Sequence, residues 1–278
     1  MPSAEREAPV PLPGRVVVVT GGCRGVGSGI SARFLEAGAE VVVCCRHEPE
    51  SLPRVGARSA SFVAADVRDP EQIDAVIAAT LDRHGRFDVL VNNAGGSPPA
   101  DTATSSPRFS EAIIALNLTA PLVFSQRAFA VMKDQPDGGV IVNIASVSGI
   151  RPSPQSAAYG AAKAGLLNLT TTMAVDFAPT VRVNAVTAGL VVTEQAHLFY
   201  GDDDGIASVG ASIPIGRMAE PVDIADVCIF LASPLAAYVT GANVVVHGGG
   251  EKPAYMAAAR NTSSSGERAR PSESEGAS

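Results

Sequence analysis

The sequence predicts an α/β fold, a single doubly wound domain with a seven-stranded parallel sheet and helices on both faces. Three observations predict it. Seven short β-branched runs alternate with longer amphipathic stretches, the pattern of βαβ units. The runs are nearly continuous in apolar residues, as strands buried on both faces require. Hydrophobic residues make up 46% of the 278 and charged residues 18%, enough apolar material for a full core.

The elements follow in order. Arg15–Thr20 is the first strand, then a glycine-rich turn and a helix over Gly27–Ala37 that Gly38 ends. Glu40–Cys45 is the second strand. Only nineteen residues separate Arg46 from Asp66, and they include Pro49, Pro53 and Gly56, so a helix there is short or absent. The third strand is Ser61–Ala65, followed by a helix over Glu71–Arg83. The chain then alternates strand Val89–Asn92, helix Ser110–Met132, strand Val140–Ala145, helix Ala157–Phe177 and strand Arg182–Val186. Helix Val222–Leu231, opened by Pro221, and strand Asn243–His247 complete the series. Residues 1–13, with four prolines, and 251–278, rich in Ser, Glu, Arg and Gly, read as flexible tails around a domain at 14–250.

With 21 Lys+Arg against 28 Asp+Glu, the net charge of −7 offers no basic face for a phosphate backbone, so nucleic acid is not an expected partner. The N-terminus lacks the basic and apolar regions of a signal peptide, and no apolar run approaches the roughly 18 residues of a membrane span. A cytoplasmic protein with no membrane partner is expected. Cys23, Cys44, Cys45 and Cys228 show no metal-ligand spacing, and Cys44 and Cys45 are adjacent, so reduced, buried thiols and no metal site are expected. Only three lysines occur, at 133, 163 and 252, which makes any lysine in a functional setting conspicuous.

Thr20-Gly21-Gly22-Cys23-Arg24-Gly25-Val26-Gly27 follows the first strand and opens a helix. Glycines allow a tight turn and close backbone approach, and the helix N-terminus offers free N–H groups to a pyrophosphate. The second strand ends Cys45-Arg46, without the carboxylate that would accept the ribose 2′-OH of NAD. Arg46 and Arg24 instead suit a 2′-phosphate, so NADP(H) is expected before NAD(H). Downstream stand Asn92-Asn93-Ala94-Gly95, Asn117, Ser146 and Tyr159-Gly-Ala-Ala-Lys163. Tyr159 and Lys163, at i and i+4, share a helix face, where a neighbouring ammonium and a cationic oxidised nicotinamide should both lower the tyrosine pKa toward a usable acid/base range.

Together these residues resemble the short-chain dehydrogenase/reductase family over about residues 14 to 250, in its usual Rossmann-type form. The resemblance rests on the loop at Thr20–Gly27, Asp66-Val67 after the third strand, Asn92–Gly95, Asn117, Ser146 thirteen residues before Tyr159, and Tyr159–Lys163. It implies hydride transfer between NADP(H) and a carbonyl or secondary alcohol. Tyr159 would exchange a proton with the substrate oxygen and Ser146 would hydrogen-bond it. Lys163 would bind the nicotinamide ribose and tune Tyr159, and Asn117 would hold a relay water. For the cofactor, the resemblance implies contacts from Gly21, Arg24, Gly25, Val26 and Gly27, from Arg46, from Asp66 and Val67 at the adenine, from Asn93, Ala94 and Gly95 at the adenosine ribose, and from Gly189, Val191 and Thr193. It also implies a homotetramer.

Two positions depart from the family pattern. Ala188 stands before Gly189 where a proline is usual, and His247-Gly248-Gly249 replaces the frequent Asp-Gly-Gly. Substrate choice would lie in residues 194–217, where His197, Leu198, Phe199 and Tyr200 suit closure over an apolar substrate and Asp202–Asp204 a helix cap or solvent face. A small or hydrophobic ketone or alcohol is the expected substrate. Reduction of 3-oxoacyl groups on acyl carrier protein is the alternative, weakened because neither the turn Lys133–Gly139, with two aspartates against one lysine, nor the helix end Asp176–Thr180 is basic. An alternative of another class is a non-catalytic NADP(H) sensor or scaffold, against which stands retention of Asn117, Ser146, Tyr159 and Lys163.

Overall fold

Five consecutive buried residues, Val16–Thr20, form strand β1 near the middle of a seven-stranded sheet. The structure is a computed structural model and describes residues 7–253, 255 and 256. Helix α1 (Gly25–Glu36) and strand β2 (Glu40–Cys45) follow. A two-stranded hairpin, β3 (Arg54–Val55) and β4 (Arg58–Ser59), turns at Gly56 with φ +56°. This hairpin occupies the stretch in which Pro49, Pro53 and Gly56 argue against a helix. Next come β5 (Ser61–Ala64), α2 (Pro70–His84) and β6 (Val89–Asn92). Helix α3 (Pro107–Ile114) passes through a π turn at Ala115–Thr119 into α4 (Ala120–Met132). The rest is β7 (Gly139–Ser146), α5 (Ala157–Asp176), β8 (Val181–Ala188), the short α6 (His197–Tyr200), α7 (Asp203–Ser212), α8 (Pro221–Ala232) and β9 (Asn243–Val246).

The strand order is β5-β2-β1-β6-β7-β8-β9, and every neighbouring pair is parallel. The chain steps outward from β1 in one direction and then, from β6, in the other, which opens a crevice beyond the carboxyl ends of β1 and β6. Strand side chains alternate between two cores. Val17, Val19, Val41, Val43, Val89 and Val91 pack with Ile30 and Phe34 of α1 and Ile224 and Ile229 of α8. Val18, Val42, Leu90 and Ile141 pack on the other face with Ile73 of α2, Phe124 and Met132 of α4, and Met173 of α5. Both faces are therefore dry, as the apolar runs predict.

Two boundaries and one helix differ from expectation. Leu12 is buried in the first core and its N–H reaches the carbonyl of Ala37 at 2.7 Å, while Arg33 binds the carbonyl of Glu7 at 2.8 Å. Residues 7–13 are thus packed along α1 rather than a free tail; residues 1–6 lie outside the described set. At the other end Glu251 pairs with Arg151, and Lys252 bonds the carbonyls of Ser212 and Ala211 through its N–H and Nζ. The remainder of the expected C-terminal tail, 254 and 257–278, lies outside the described residues. Finally, the helical stretch Pro107–Met132 is long and apolar enough by composition to cross a membrane, although no single apolar run suggests it. It lies here against the sheet, with Phe124, Ala128 and Met132 in the core.

One buried carboxylate ties the amino ends of β1 and β6. Asp88 is 1% exposed and accepts from the Val16 N–H at 2.8 Å, from Arg15 at 3.1 Å and from both Nε and Nη2 of Arg86. Removing it leaves a buried N–H without a partner. Asp88→Ala is expected to lower the free energy of unfolding by about 1–3 kcal/mol, read as an earlier midpoint in urea.

Candidate active site

Sequence places glycines where the β1–α1 turn demands them. Gly21 and Gly25 have φ of +63° and +53°. A Cβ on Gly27 would lie 2.2 Å from the Gly21 carbonyl oxygen, and one on Gly22 2.6 Å from Val43 Cγ1. Arg24 stands at the N-cap of α1 and makes no side-chain capping bond, and the first turn holds no acidic residue. The helix end therefore keeps N–H groups for an anion, a use the capped α2, where Asp69 accepts from Glu71 N–H, does not offer. Here the Glu194 carboxylate accepts from Gly25 N–H at 3.1 and 3.4 Å.

The loop after β6 is locked onto this turn. Thr20 Oγ1 accepts from the N–H groups of Asn93 and Ala94, each at 2.9 Å, and Asn93 Nδ2 donates to the carbonyls of Thr20 and Gly21. Asn117, inside the π turn, is fully buried. Its side chain accepts from Gly96 N–H and donates to Gly96 and Ile113 carbonyls at 2.9 to 3.0 Å. A Cβ on Gly95 would sit 2.6 Å from Asn117 Oδ1 and 3.3 Å from Lys163 Nζ, so glycine is needed for this convergence.

Strand β7 delivers Ser146 and helix α5 delivers Tyr159 and Lys163 to the same spot. Close packing of the segment after β7 on α5 depends on small residues: a Cβ on Gly160 would lie 2.9 Å from the Ser148 carbonyl, and one on Gly149 2.8 Å from Ala164 N. Ser146 Oγ accepts from Ser148 N–H and hydrogen-bonds Tyr159. Lys163 is 3% exposed, donates to the Ile144 carbonyl at 2.8 Å, and lies 5.7 Å from the Tyr159 ring centre. Burial lowers the Lys163 pKa to about 8. In the protein by itself the Tyr159 pKa is shifted upward. Burial of the phenol leads and raises it, Ser146 opposes, and Tyr200 adds a smaller upward push.

At the outer corner of the crevice, Arg24 and Arg46 are both exposed. Asp66 is held by Arg68 through Nε at 2.9 Å, and this pairing, resisted by partial burial and assisted by the Arg46 charge, keeps its carboxyl below the usual range. Val67 turns its side chain into the second core. Gly189 is fixed by its N–H to the Val246 carbonyl, and a Cβ there would meet His247 Cα at 2.8 Å, so the turn stays closed with Ala188 in place of proline. Val191 bridges to Ala219, and Thr193 reaches the glycine loop, 3.5 Å from where a Gly25 Cβ would stand. Asp202 caps α7 through Gly205 N–H, as its sequence setting predicts.

The sequence reading missed Asn143 and Thr170 and gave Asn92 no role of its own beyond its motif. Asn92, Asn143 and Thr170 form a buried relay, Asn92 Nδ2 to Asn143 Oδ1 at 2.9 Å and Asn143 Nδ2 to Thr170 Oγ1 at 2.9 Å, which joins β6 and β7 to α5. Polar residues inside otherwise apolar strands are the signal that would have found them. The cysteines also differ from expectation: Cys44 and Cys228 are buried, but Cys23 and Cys45 are half-buried and their sulfurs lie 2.6 Å apart.

Known proteins share this arrangement. A family model described as enoyl-(acyl carrier protein) reductase matches residues 21–251. The chain is 35% identical over 246 residues to 3beta-hydroxysteroid dehydrogenase 1 of Eggerthella lenta, covering 86% of this chain and 94% of that one. It is 34% identical over 247 residues to a 3-oxoacyl-[acyl-carrier-protein] reductase of Chlamydia pneumoniae, covering 86% and 98%. Ligand-free aldohexose dehydrogenase of Thermoplasma acidophilum superimposes with a TM-score of 0.78 at 32% identity, covering 84% of this chain and 93% of that one. Similarity of this extent, spanning the glycine turn through β9, makes the chain a member of the short-chain dehydrogenase/reductase family, an oxidoreductase acting on hydroxyl or carbonyl groups.

Proposed function

We propose that this protein interconverts a ketone and a secondary alcohol on a small or hydrophobic substrate with NADP(H), using Tyr159 as general acid/base. The observation that carries the reading is the meeting of Ser146, Tyr159 and Lys163 beside Gly95, one end of a crevice whose other end is the glycine turn. The residues present fit a dinucleotide. The positive φ at Gly21 and Gly25, the close approach at Gly27 and the N-terminus of α1 form a cradle that side chains would fill. When bound there, a nicotinamide supplies or takes up the hydride at the reacting carbon.

The chain's own residues handle the oxygen. Tyr159 donates a proton to the carbonyl oxygen in reduction and withdraws it from the hydroxyl in oxidation. Ser146, already hydrogen-bonded to Tyr159, stabilises the charge that develops on the same oxygen. Lys163 would hold the ribose hydroxyls of a bound cofactor and keeps an ammonium charge beside the phenol, and Asn117 keeps the Gly95–Gly96 turn seated against it. Arg24 and Arg46 suit a ribose 2′-phosphate, and Cys45 stands where an NAD-selective carboxylate would be. Leu198 and Phe199, both exposed on α6, favour an apolar substrate closing the site. The kinship with a 3-oxoacyl carrier-protein reductase supports a second reading, which a panel of free ketones and acyl-carrier substrates separates.

Three outcomes are expected. Tyr159→Phe lowers kcat by about 10²–10⁴-fold with NADPH affinity retained; equal turnover in both proteins would refute the assigned role. Arg46→Asp weakens NADPH relative to NADH by at least about tenfold, the cost of one charge-assisted contact, in fluorescence titrations with both cofactors. The pH profile follows from the opposed shifts. Tyr159 keeps its proton to high pH, whereas Lys163 loses its own as pH rises through about 8. The kcat/KM for reduction therefore falls above that pH, and Lys163→Arg moves the alkaline limb upward because guanidinium stays charged. A limb unmoved by that substitution would belong to another group.

A further inference from the structure

Cys23 and Cys45 take no part in the chemistry above, yet they meet at the adenosine corner of the crevice. Their meeting follows from register. Thr20 pairs with Cys44 across β1 and β2, and Gly21 N–H donates to the Cys44 carbonyl at 2.8 Å, so the glycine loop leaves β1 alongside the end of β2. Cys23 of the loop then lies over Cys45, sulfur to sulfur 2.6 Å, with both side chains half-buried rather than sealed in the core. A disulfide requires about 2.05 Å, a sub-ångström movement for a loop that already carries two positive-φ glycines. Neither Cys44 nor Cys228 shares this exposure.

We propose that Cys23 and Cys45 are a reversible dithiol/disulfide couple, oxidised by hydroperoxides, that governs access of the cofactor's adenosine-2′-phosphate end to its site. The part of this inference that concerns the cofactor rests on the NADP(H) reading above. The Cys45 thiol is the attacking group, its pKa brought down by the hydrogen bond from Cys23, against partial burial, and by the Arg24 charge. Cys45 thiolate attacks a peroxide oxygen and the O–O bond breaks. The departing hydroxide or alkoxide takes a proton and leaves as water or alcohol, and Cys45 becomes a sulfenic acid. The sulfur of Cys23 then attacks Cys45 Sγ, the S–O bond breaks, and the hydroxyl leaves with the Cys23 proton as water. Two thiols lose two electrons and one peroxide gains them. A dithiol reductant reverses the bond by exchange. The bridge staples the glycine loop to β2 and draws the chain beside Arg24 toward the strand, narrowing the space between Arg24 and Arg46 that the 2′-phosphate needs.

The test is to treat the reduced protein with hydrogen peroxide, map the peptides by mass spectrometry, and titrate NADPH before and after. A Cys23–Cys45 cross-link, loss of two hydrogens, and at least about a tenfold rise in the NADPH Kd that dithiothreitol reverses are expected. Cys23→Ser and Cys45→Ser should each lose the cross-link and the peroxide response, while Cys228→Ser retains both. Absence of the cross-link, an unchanged Kd in the cross-linked protein, or a loss of affinity that dithiothreitol does not restore would overturn the proposal. Reduced protein that takes up neither NADPH nor NADH would instead overturn the cofactor reading, and the gating with it, while the peptide map still reports on the bond.

Discussion

A single threonine holds two loops together at the carboxyl edge of the sheet. Thr20 Oγ1 accepts from the N–H groups of Asn93 and Ala94 and donates to the carbonyl of Val91, and Asn93 returns its amide to the carbonyls of Thr20 and Gly21. Polar groups that would otherwise be stranded where two parallel strands end are thereby satisfied within the protein. The geometry of both loops depends on this knot: the glycine turn can open over α1 only because its first carbonyls are held, and Gly95 can approach Asn117 and Lys163 only because Asn93 is fixed. The glycine turn and the corner where Gly95 meets Asn117 and Lys163 are two ends of one hydrogen-bonded structure.

Burial acts in opposite senses on the two titrating groups at the catalytic end. It raises Tyr159 and lowers Lys163, since the charged form is the anion in one case and the cation in the other. Their environment thus separates the protonation states of neighbours that share a helix face, the pattern expected where one group must hold a proton that it later gives up. Lys163 retains one carbonyl partner, Ile144, so its ammonium is solvated by the end of β7 rather than by a carboxylate. A carboxylate there would neutralise the charge on which the phenol depends.

Much of the fold was legible because its strands are buried on both faces. Val16–Thr20, Glu40–Cys45 and Val89–Asn92 are apolar runs whose limits are set by glycine, proline or polar residues, and their expected bounds lie within a residue of those observed. The candidate catalytic set could be picked out because its spacing is local: Tyr159 and Lys163 on one helix, Ser146 at a strand end. What was not legible depends on tertiary register or on elements too short to carry a period. The hairpin at Arg54–Ser59 has two residues per strand, α6 has four, and the π turn at Ala115–Thr119 continues an unbroken hydrophobic pattern. Leu12 gave no helical or strand signal, yet packs on α1 because the extended, proline-rich segment lies along it. The lowered tyrosine pKa was expected from Lys163 and an oxidised nicotinamide acting together, whereas in the protein by itself burial of the phenol leads and raises it.

The segment between Gly189 and Arg217 joins the two ends of the crevice. Glu194 places its carboxylate on the Gly25 N–H, at the helix end that also suits a phosphate, and Thr193 stands beside it. A few residues further, Tyr200 bears on Tyr159 and is itself influenced by Arg151 and Glu251. Arg151 follows β7, which ends at Ser146, and Glu251 follows β9, so this ion pair ties together the segments that leave those two strands. Any anion that binds at the α1 terminus competes with Glu194 for the same N–H, and whatever displaces Glu194 acts on the chain that also carries Tyr200. The segment whose Glu194 touches the glycine turn is therefore the same one that, six residues on, sets Tyr200 near Tyr159.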